Sequence, residues 1–392
     1  GGSIRPTPSP DGRSLAFIRR VRYESTLFVM DIDSGREVPI YNGLDRDLQE
    51  TWAVHGVYPA FSWMPDNRSI VIWAGGKICR VDVATGVATD IPFRVNDTRR
   101  IQETVRFPVE VAPDQFDVRM IRWAQTSPDG SRVVFEALGN LWIRDLPEGT
   151  PRRLTRQSDH FELYPSWSRD GRSIVYTTWD DQELGTLRVV PASGGEGRIV
   201  TRRPGHYVEP VFSPDGRTIV FRRTSDGYLT SGLYGRDTGL YRVPAAGGDA
   251  TLITDEGRAP QFGASGDRVF FTGRQETNAA LKSVDLSGGD ERVHLLSEWA
   301  ADFAISPDER WVAWNERFNA FVAPFARTGR PVTLSADGKA LPQTRFTRDA
   351  GDWIHWSGDS SRLNWALGPQ LFSRDLNQGF AFVDGAPADL PD

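Results

Sequence analysis

The chain has 392 residues, of which 39% are hydrophobic and 25% charged, as is typical of a soluble globular protein. A formal net charge of −6 argues against nucleic acid as a partner. The single cysteine, Cys79, excludes an intrachain disulfide, and no apolar run approaches the ~20 residues of a membrane span.

One short phrase recurs along the whole chain. An apolar or aromatic residue is followed by Ser-Pro-Asp-Gly or a variant of it, and then by a β-branched and aromatic run. The copies begin at Ser9, Ser62, Ser127, Ser168, Ser213, Gly263, Ser306 and Ser357. A period of roughly 40–50 residues with about four short strands per period predicts an all-β fold, a β-propeller of four-stranded antiparallel blades.

Eight repeats predict eight blades in one propeller spanning residues 4–384, with seven blades as the alternative. The predicted blades cover residues 4–41, 57–93, 117–156, 163–201, 207–254, 258–296, 301–335 and 352–384. Residues 1–3 resemble a linker scar, and residues 385–392 form a tail.

The four strands of a unit, A to D, alternate in direction. The A–B and C–D turns should therefore lie on one face of the propeller and the B–C and D–A connections on the other. The A–B turns are tight, because Pro, Asp and Gly each favour a defined turn position. The longest connections are D–A insertions at 42–56, 94–116 and 336–351 and a B–C insertion at 224–238. Function is expected on the face that carries them.

Seven polar residues share one position, shortly before strand A of their units. Histidine or arginine fills it in the earlier units and a carboxylate in the later ones. The residues are His55, Arg119, His160, His206, Glu256, Glu298 and Asp349. We predict a tunnel mouth with one basic and one acidic arc, suited to a zwitterionic ligand such as a peptide. The alternative is that these side chains simply cap strands at a solvated rim.

Aromatic residues in the long connections are further candidates for ligand contacts. They are Trp52, Trp179, Tyr228 and Tyr234. The tryptophans beside the turn serines, Trp63, Trp167 and Trp356, occupy positions typical of packing.

Familiar catalytic signatures are absent from the sequence. No His-x-His or His-Glu-x-x-His spacing, Gly-x-Ser-x-Gly elbow or phosphate-binding Gly-rich loop is found. His55, His160 and His206 come from different units and are not expected to converge on one metal ion. We therefore expect no catalytic residue, metal site or cofactor in this chain.

The repeat units, for example residues 164–176, resemble the WD-like repeats of TolB and of the tricorn protease propellers. The stretches 43–59, 91–106, 152–155 and 363–376 are similar to the propeller that precedes the hydrolase barrel of large bacterial amidohydrolases. This resemblance implies a non-catalytic domain of a metal-dependent amidohydrolase. Such a domain would gate substrate or bind a peptide or protein partner, possibly the C-terminal hydrolase domain itself.

Three alternatives remain open at this point. The first is a free-standing TolB-like interaction protein, the second a propeller-type lyase with a histidine-ligated metal, and the third a prolyl-oligopeptidase-like propeller fragment. The resemblance implies a periplasmic or secreted bacterial protein, with the cytoplasm as the alternative.

Overall fold

The computed structural model describes residues 3–21, 24–45, 60–103, 105–224 and 237–389. Within these ranges the chain forms β-strands and one short 3-10 helix, Leu376–Gln378. The strands build eight sheets, in each of which sequential strands pair in antiparallel fashion. The predicted all-β propeller class is thereby confirmed.

The first two sheets correspond to the first two predicted units. Sheet 1 contains β1 (Ser3–Pro8), β2 (Ser14–Val21), β3 (Glu24–Asp31) and β4 (Glu37–Tyr41). Sheet 2 contains β5 (Phe61–Trp63), β6 (Ser69–Ala74), β7 (Lys77–Asp82) and β8 (Ala88–Ile91). Ser3, expected in a linker, begins β1.

Sheets 3 to 5 follow the predicted order of strands. Sheet 3 contains β9 (Arg122–Thr126), β10 (Arg132–Ala137), β11 (Asn140–Asp145) and β12 (Arg152–Arg153). Sheet 4 contains β13 (Phe161–Trp167), β14 (Ser173–Trp179), β15 (Leu187–Pro191) and β16 (Arg198–Ile199). Sheet 5 contains β17 (Tyr207–Phe212), β18 (Thr218–Arg223), β19 (Gly239–Pro244) and β20 (Thr251–Thr254).

Sheets 6 to 8 complete the described chain. Sheet 6 contains β21 (Arg258–Phe262), β22 (Arg268–Gln275), β23 (Asn278–Asp285), β24 (Arg292–Ser297) and β28 (Val332–Thr333). Sheet 7 contains β25 (Ala300–Ile305), β26 (Trp311–Glu316), β27 (Asn319–Pro324) and β29 (Thr344–Arg345). Sheet 8 contains β30 (Asp352–Trp356), β31 (Arg362–Leu367) and β32 (Gln370–Asp375).

Two predicted blade limits are wrong. The segment expected as the fourth strand of sheet 7, β28, instead pairs in parallel with β24 of sheet 6. Its place in sheet 7 is taken by β29, which lies in the predicted insertion 336–351. Sheet 8 has three strands among the described residues, because the chain after β32 enters the 3-10 helix. Leu376 and Phe380 then pack on Trp356 and Leu363.

The chain divides into two compact units. Sheets 1 and 2 belong to the smaller unit, within Gly1–Pro113, and sheets 3 to 8 belong to the larger unit, which begins at Asp114. In the smaller unit the two sheets share a core that includes Ile18, Leu27 and Ile72. The indole of Trp63 donates a 3.0 Å hydrogen bond to the carbonyl of Thr7 and joins their A strands.

The six sheets of the larger unit close on themselves. Each A strand contacts the A strand of the next sheet, and β30 contacts β9. Side-chain hydrogen bonds reinforce these joints, donated by Trp167 to the Gln125 carbonyl, by Gln261 to the Phe303 carbonyl and by Trp356 to the Ala304 carbonyl. A single ring of eight blades is therefore not confirmed, since six sheets already complete a cycle.

The repeated turn phrase works as the sequence predicts. In sheet 5, Ser213 Oγ donates a 2.6 Å hydrogen bond to Asp215 and accepts one of 2.9 Å from the amide of Thr218. Hydrogen bonding from Ser213 lowers the pKa of Asp215. The following B strand is buried on both faces, at Ile219, Val220 and Phe221, as expected for a strand between packed blades.

Candidate functional site

Each A strand of the larger unit contains a β-bulge next to the same position of the repeat. The strand register shifts there in all six sheets. The position lies four residues before the turn phrase and is filled by Trp123, Tyr164, Glu209, Ala259, Asp302 and Trp353. We call these six residues the axial ring, because they occupy equivalent places on the six innermost strands.

Five members of the axial ring have left-handed backbone conformations. Their φ angles are between 47° and 55°, and Asp302 is the exception. Left-handed φ is uncommon for residues other than glycine and costs conformational energy. A bulge in this conformation redirects a side chain that would otherwise alternate regularly across the sheet.

One half of the axial ring is aromatic. The rings of Trp123 and Tyr164, on neighbouring A strands, lie with their centroids 4.1 Å apart and their planes tilted by 35°. Trp353 packs on the apolar cluster shared by sheets 3 and 8. Burial, followed by the nearby Glu209 carboxylate, raises the pKa of Tyr164, so its hydroxyl is a neutral hydrogen-bonding group at pH 7.

The other half of the axial ring is ionic. Glu209 accepts hydrogen bonds of 2.9 and 2.8 Å from Arg222 and one of 2.7 Å from the amide of Ala259. Asp302 accepts a hydrogen bond from Arg258. Partial burial raises the pKa of Asp302, Arg258 acts in the opposite direction, and Glu209 raises it further. The two carboxylates therefore influence one another across sheet 6.

At two junctions of the larger unit, a described B–C turn contacts the start of the neighbouring sheet. The carbonyl of Gly139, in a B–C turn, accepts the amide of Glu162 at the start of the next sheet. The carbonyl of Gly368 accepts the amide of Ile121 in the same way, where sheet 8 meets sheet 3. We call this surface the loop face.

The A–B turns form the opposite, turn face of the larger unit. Neighbouring turns are joined there by a 3.1 Å hydrogen bond from the Gly358 amide to the Pro128 carbonyl. The guanidinium of Arg169 in sheet 4 reaches sheet 6 and donates a 2.8 Å hydrogen bond to the carbonyl of Gly263. These two hydrogen bonds link turns of different sheets on this face.

Large apolar side chains are exposed in two places on the loop face. Leu138 lies in the B–C turn of sheet 3, and Phe161 begins the neighbouring sheet. Trp299 and Phe318 lie at the loop-face end of sheet 7, where the guanidinium of Arg317 stacks 5.4 Å from the Trp299 ring. Between 54% and 83% of the surface of these four apolar residues is exposed. Clustered exposed apolar side chains are typical of protein interaction sites.

His160 is the most unusual of the predicted mouth residues. Its side chain is only 5% exposed, and Nδ1 lies 3.0 Å from a carboxylate oxygen of Asp159. Its Nε2 atom is buried and has no hydrogen-bond partner within the described ranges. A buried nitrogen of this kind is costly unless water or a ligand satisfies it.

The rings of His206 and Trp179 are in contact, with 4.9 Å between their centroids and their planes tilted by 45°. Burial, followed by the positive charge of Arg222, lowers the pKa of His206. The imidazole is therefore neutral at pH 7, and His206 contributes no positive charge to the predicted basic arc.

Glu256 is also engaged by a neighbour. Its carboxylate lies 2.7 Å from the ammonium of the buried Lys282, which also contacts Glu291 at 3.2 Å. Arg119, Glu298 and Asp349 are exposed and lie just before their A strands. His55, Trp52, Tyr228 and Tyr234 lie outside the described residues.

The structure thus brings together a set of residues that the sequence analysis did not select. The axial ring could have been found from its constant distance to the turn phrase and from the proline that follows Tyr164, Glu209 and Ala259. Within the described ranges no three histidine, cysteine or carboxylate side chains are grouped to hold a metal ion. The same ranges contain no helix with the length and apolarity needed to cross a bilayer.

Comparison with known proteins finds no matching family model. An uncharacterized protein of Agrobacterium fabrum is 23% identical over 273 residues, which cover 64% of this chain and 81% of that protein. The Tol-Pal system protein TolB of Francisella tularensis is 37% identical over 91 residues. That match covers 23% of this chain, and the chain spans about one fifth of the length of that TolB.

Two solved structures illustrate the structural similarity. TolB from Acinetobacter baumannii has a TM-score of 0.36 and 18% identity, covering 72% of this chain and 63% of that one. The tricorn protease has a TM-score of 0.40 and 14% identity, covering 93% of this chain and 36% of that one. The chain is similar to these TolB and tricorn proteins to the extent given, and its propeller fold is shown by its own sheets.

Proposed function

We propose that the larger unit is a non-catalytic propeller that binds a peptide segment of a partner or substrate on its loop face. The observation that carries this proposal is the difference between the two faces. The loop face carries exposed apolar side chains, and the A strands that begin at this face carry the aromatic and ionic axial ring. The turn face presents short, cross-linked turns.

This proposal keeps only part of the predicted charge contrast between the two arcs of the tunnel mouth. Arg119, His160 and His206 lie on sheets 3 to 5, and Glu256, Glu298 and Asp349 lie on sheets 6 to 8, so the two arcs follow the sheet order. Neutral His206 and lysine-bound Glu256 weaken the contrast between them. The exposed charges of Arg119, Glu298 and Asp349 remain to orient a peptide.

At the level of the whole protein, we propose an accessory role to a metal-dependent amidohydrolase in the bacterial periplasm or secreted fraction. The resemblance of residues 43–59 and 363–376 to amidohydrolase propellers supports this role. The 91-residue similarity to TolB supports the alternative of a free-standing interaction protein.

Selection of heptapeptides from a random phage-displayed library against the whole chain tests the binding role. Leu138→Glu and Phe318→Glu place a charge on each apolar site of the loop face, and Arg217→Glu is the matched control on an exposed A–B turn. Dissociation constants of the selected peptides should rise at least tenfold in one or both loop-face variants and less than twofold in the control. Equal effects in all three variants, or failure to select any peptide, would refute the proposal.

The reading frame that encodes the chain distinguishes the two whole-protein roles. A continuous downstream frame with a histidine-rich hydrolase barrel supports the accessory role. A frame without such a barrel excludes it and favours the TolB-like alternative, and the binding proposal is unaffected.

A further inference from the structure

We infer that the axial ring binds a basic side chain, arginine or lysine, presented by the peptide that docks on the loop face. This inference rests on the proposed function and names the chemical group that anchors the ligand. It concerns residues that lie deeper in the larger unit than the predicted mouth.

The aromatic half of the axial ring supplies the first attraction. The rings of Trp123 and Tyr164 are in contact on adjacent strands, with 4.1 Å between centroids and planes tilted by 35°. Trp353 lies on the strand at the other side of Trp123. Indole and phenol faces carry negative electrostatic potential and attract guanidinium and ammonium groups placed within about 6 Å.

The ionic half supplies the second attraction. Glu209 and Asp302 lie on the two strands that flank the strand of Ala259, the smallest side chain of the ring. A cation placed beside Ala259 would therefore lie between two carboxylates. These carboxylates already bind guanidinium groups, those of Arg222 and Arg258, so the preference is visible within the protein itself.

The carboxylate of Asp302 can accept a hydrogen bond from one more positively charged donor. Arg258 bonds to Oδ1, and Oδ2 has no hydrogen-bond partner within the described part of the chain. Partial burial raises the pKa of Asp302, Arg258 acts in the opposite direction, and the Glu209 carboxylate raises it further. A second positive charge would stabilise the ionised carboxylate.

An anionic ligand group fits the axial ring less well. Both guanidinium groups in the ionic half are already paired, Arg222 through two hydrogen bonds to Glu209 and Arg258 through Asp302. An incoming carboxylate that bound either of these two guanidinium groups would have to break its existing pair and would face the other carboxylate. A basic side chain requires no such exchange.

Three tripeptides that differ in one side chain test the inference on the whole chain. They are acetyl-Ala-Arg-Ala-amide, its citrulline analogue, which is nearly isosteric but uncharged, and its glutamate analogue. Isothermal titration calorimetry should show at least fivefold tighter binding of the arginine peptide than of the citrulline peptide, the size expected for a desolvated cation on an aromatic face. The glutamate peptide should bind weakest.

Three variants locate the site. Asp302→Asn should reduce the arginine preference to less than twofold. Ala259→Leu places a bulky side chain between the two carboxylates without removing a charge and should weaken arginine binding at least tenfold. Trp73→Phe, at an exposed position of the smaller unit, should change nothing. Circular dichroism melts verify that each variant is folded. If Asp302→Asn does not fold, Ala259→Leu still tests the inference.

The outcomes separate this inference from the proposed function. Equal binding of the arginine and citrulline peptides, with library-selected peptides still bound at the loop face, overturns the inference alone. An arginine preference that persists in both Asp302→Asn and Ala259→Leu also overturns it. Failure of the tripeptides and of the selected peptides together overturns both.

Discussion

The backbone amide of Thr126 donates a 2.9 Å hydrogen bond to Nε2 of His355, which joins the last A strand of the larger unit to the first. The other ring nitrogen, Nδ1, donates to the carbonyl of Trp353 at 2.9 Å. Since Nε2 must accept, the imidazole is neutral in the folded protein. Burial lowers the pKa of His355 to about 4.

Acid should therefore weaken the closure between sheets 3 and 8. The unfolded chain binds a proton at His355 near pH 6.5 and the folded chain near pH 4, so the free energy of unfolding falls as pH drops through this window. This difference in the pKa of His355 corresponds to a loss of at most about 3 kcal/mol in the free energy of unfolding. Urea unfolding of the wild type and of His355→Gln at pH 7, 5.5 and 4 measures the effect. A variant that loses as much stability as the wild type over this range would contradict the assignment.

The indole of Trp167 should contribute through its N–H as well as its packing. Trp167→Phe removes the 3.1 Å hydrogen bond to the Gln125 carbonyl at a buried joint between blades. A buried carbonyl left without a partner costs about 1–3 kcal/mol. We expect a loss of that size in chemical denaturation. Trp73→Phe, on an exposed side chain, serves as the control and should stay within about 0.5 kcal/mol of the wild type.

Glu256 should behave as a structural residue and Glu298 as a surface residue, although both occupy the same place in the repeat. Glu256→Ala leaves the buried ammonium of Lys282 with Glu291 alone, at 3.2 Å. Because Glu256 is itself partly exposed, we expect a loss of only about 1 kcal/mol. Glu298→Ala should change stability by less than about 0.5 kcal/mol. Similar losses of stability in Glu256→Ala and Glu298→Ala, measured by thermal or urea unfolding, would argue against this distinction.

Glu209 should connect two blades as well as bind Arg222. Glu209→Gln keeps the side-chain shape and its capacity to accept from the amide of Ala259, while the charge opposite Arg222 is lost. We expect a cost of about 1–2 kcal/mol from the weakened charge-assisted bonds. Glu209→Ala should cost more, because the amide of Ala259 also loses its acceptor. If Glu209→Ala unfolds at the same urea concentration as Glu209→Gln, the link between the blades is not significant.

The sequence predicted the sheets better than it predicted their last strands. The turn phrase is local chemistry, as in the hydrogen bonds of Ser213 and Asp215, and it marked every A–B hairpin of the described blades. The fourth strands are often two residues long, as in Thr344–Arg345. So short a strand has no periodicity, and tertiary pairing alone decides whether it joins its own sheet or the neighbouring one, as Val332–Thr333 does.

The candidate site was harder to predict for a different reason. The mouth residues were selected by side-chain type at a fixed position, and some of those charges, such as Glu256, are engaged by neighbours from distant parts of the chain. Members of the axial ring share no side-chain chemistry. Their common property is a position in the bulge, which becomes visible once backbone angles and strand register are known.

The left-handed φ angles of the axial ring lower stability at the same residues that we propose bind the ligand. Glycine would adopt these angles with little strain, whereas Trp123, Tyr164 and Glu209 hold them at a cost of roughly 1–2 kcal/mol each. Mutations selected for heat resistance alone would thus tend to replace the side chains that we propose as the binding site at the centre of the propeller. A thermostable derivative that still recognises its ligand would need to gain its robustness elsewhere, among the outer strands.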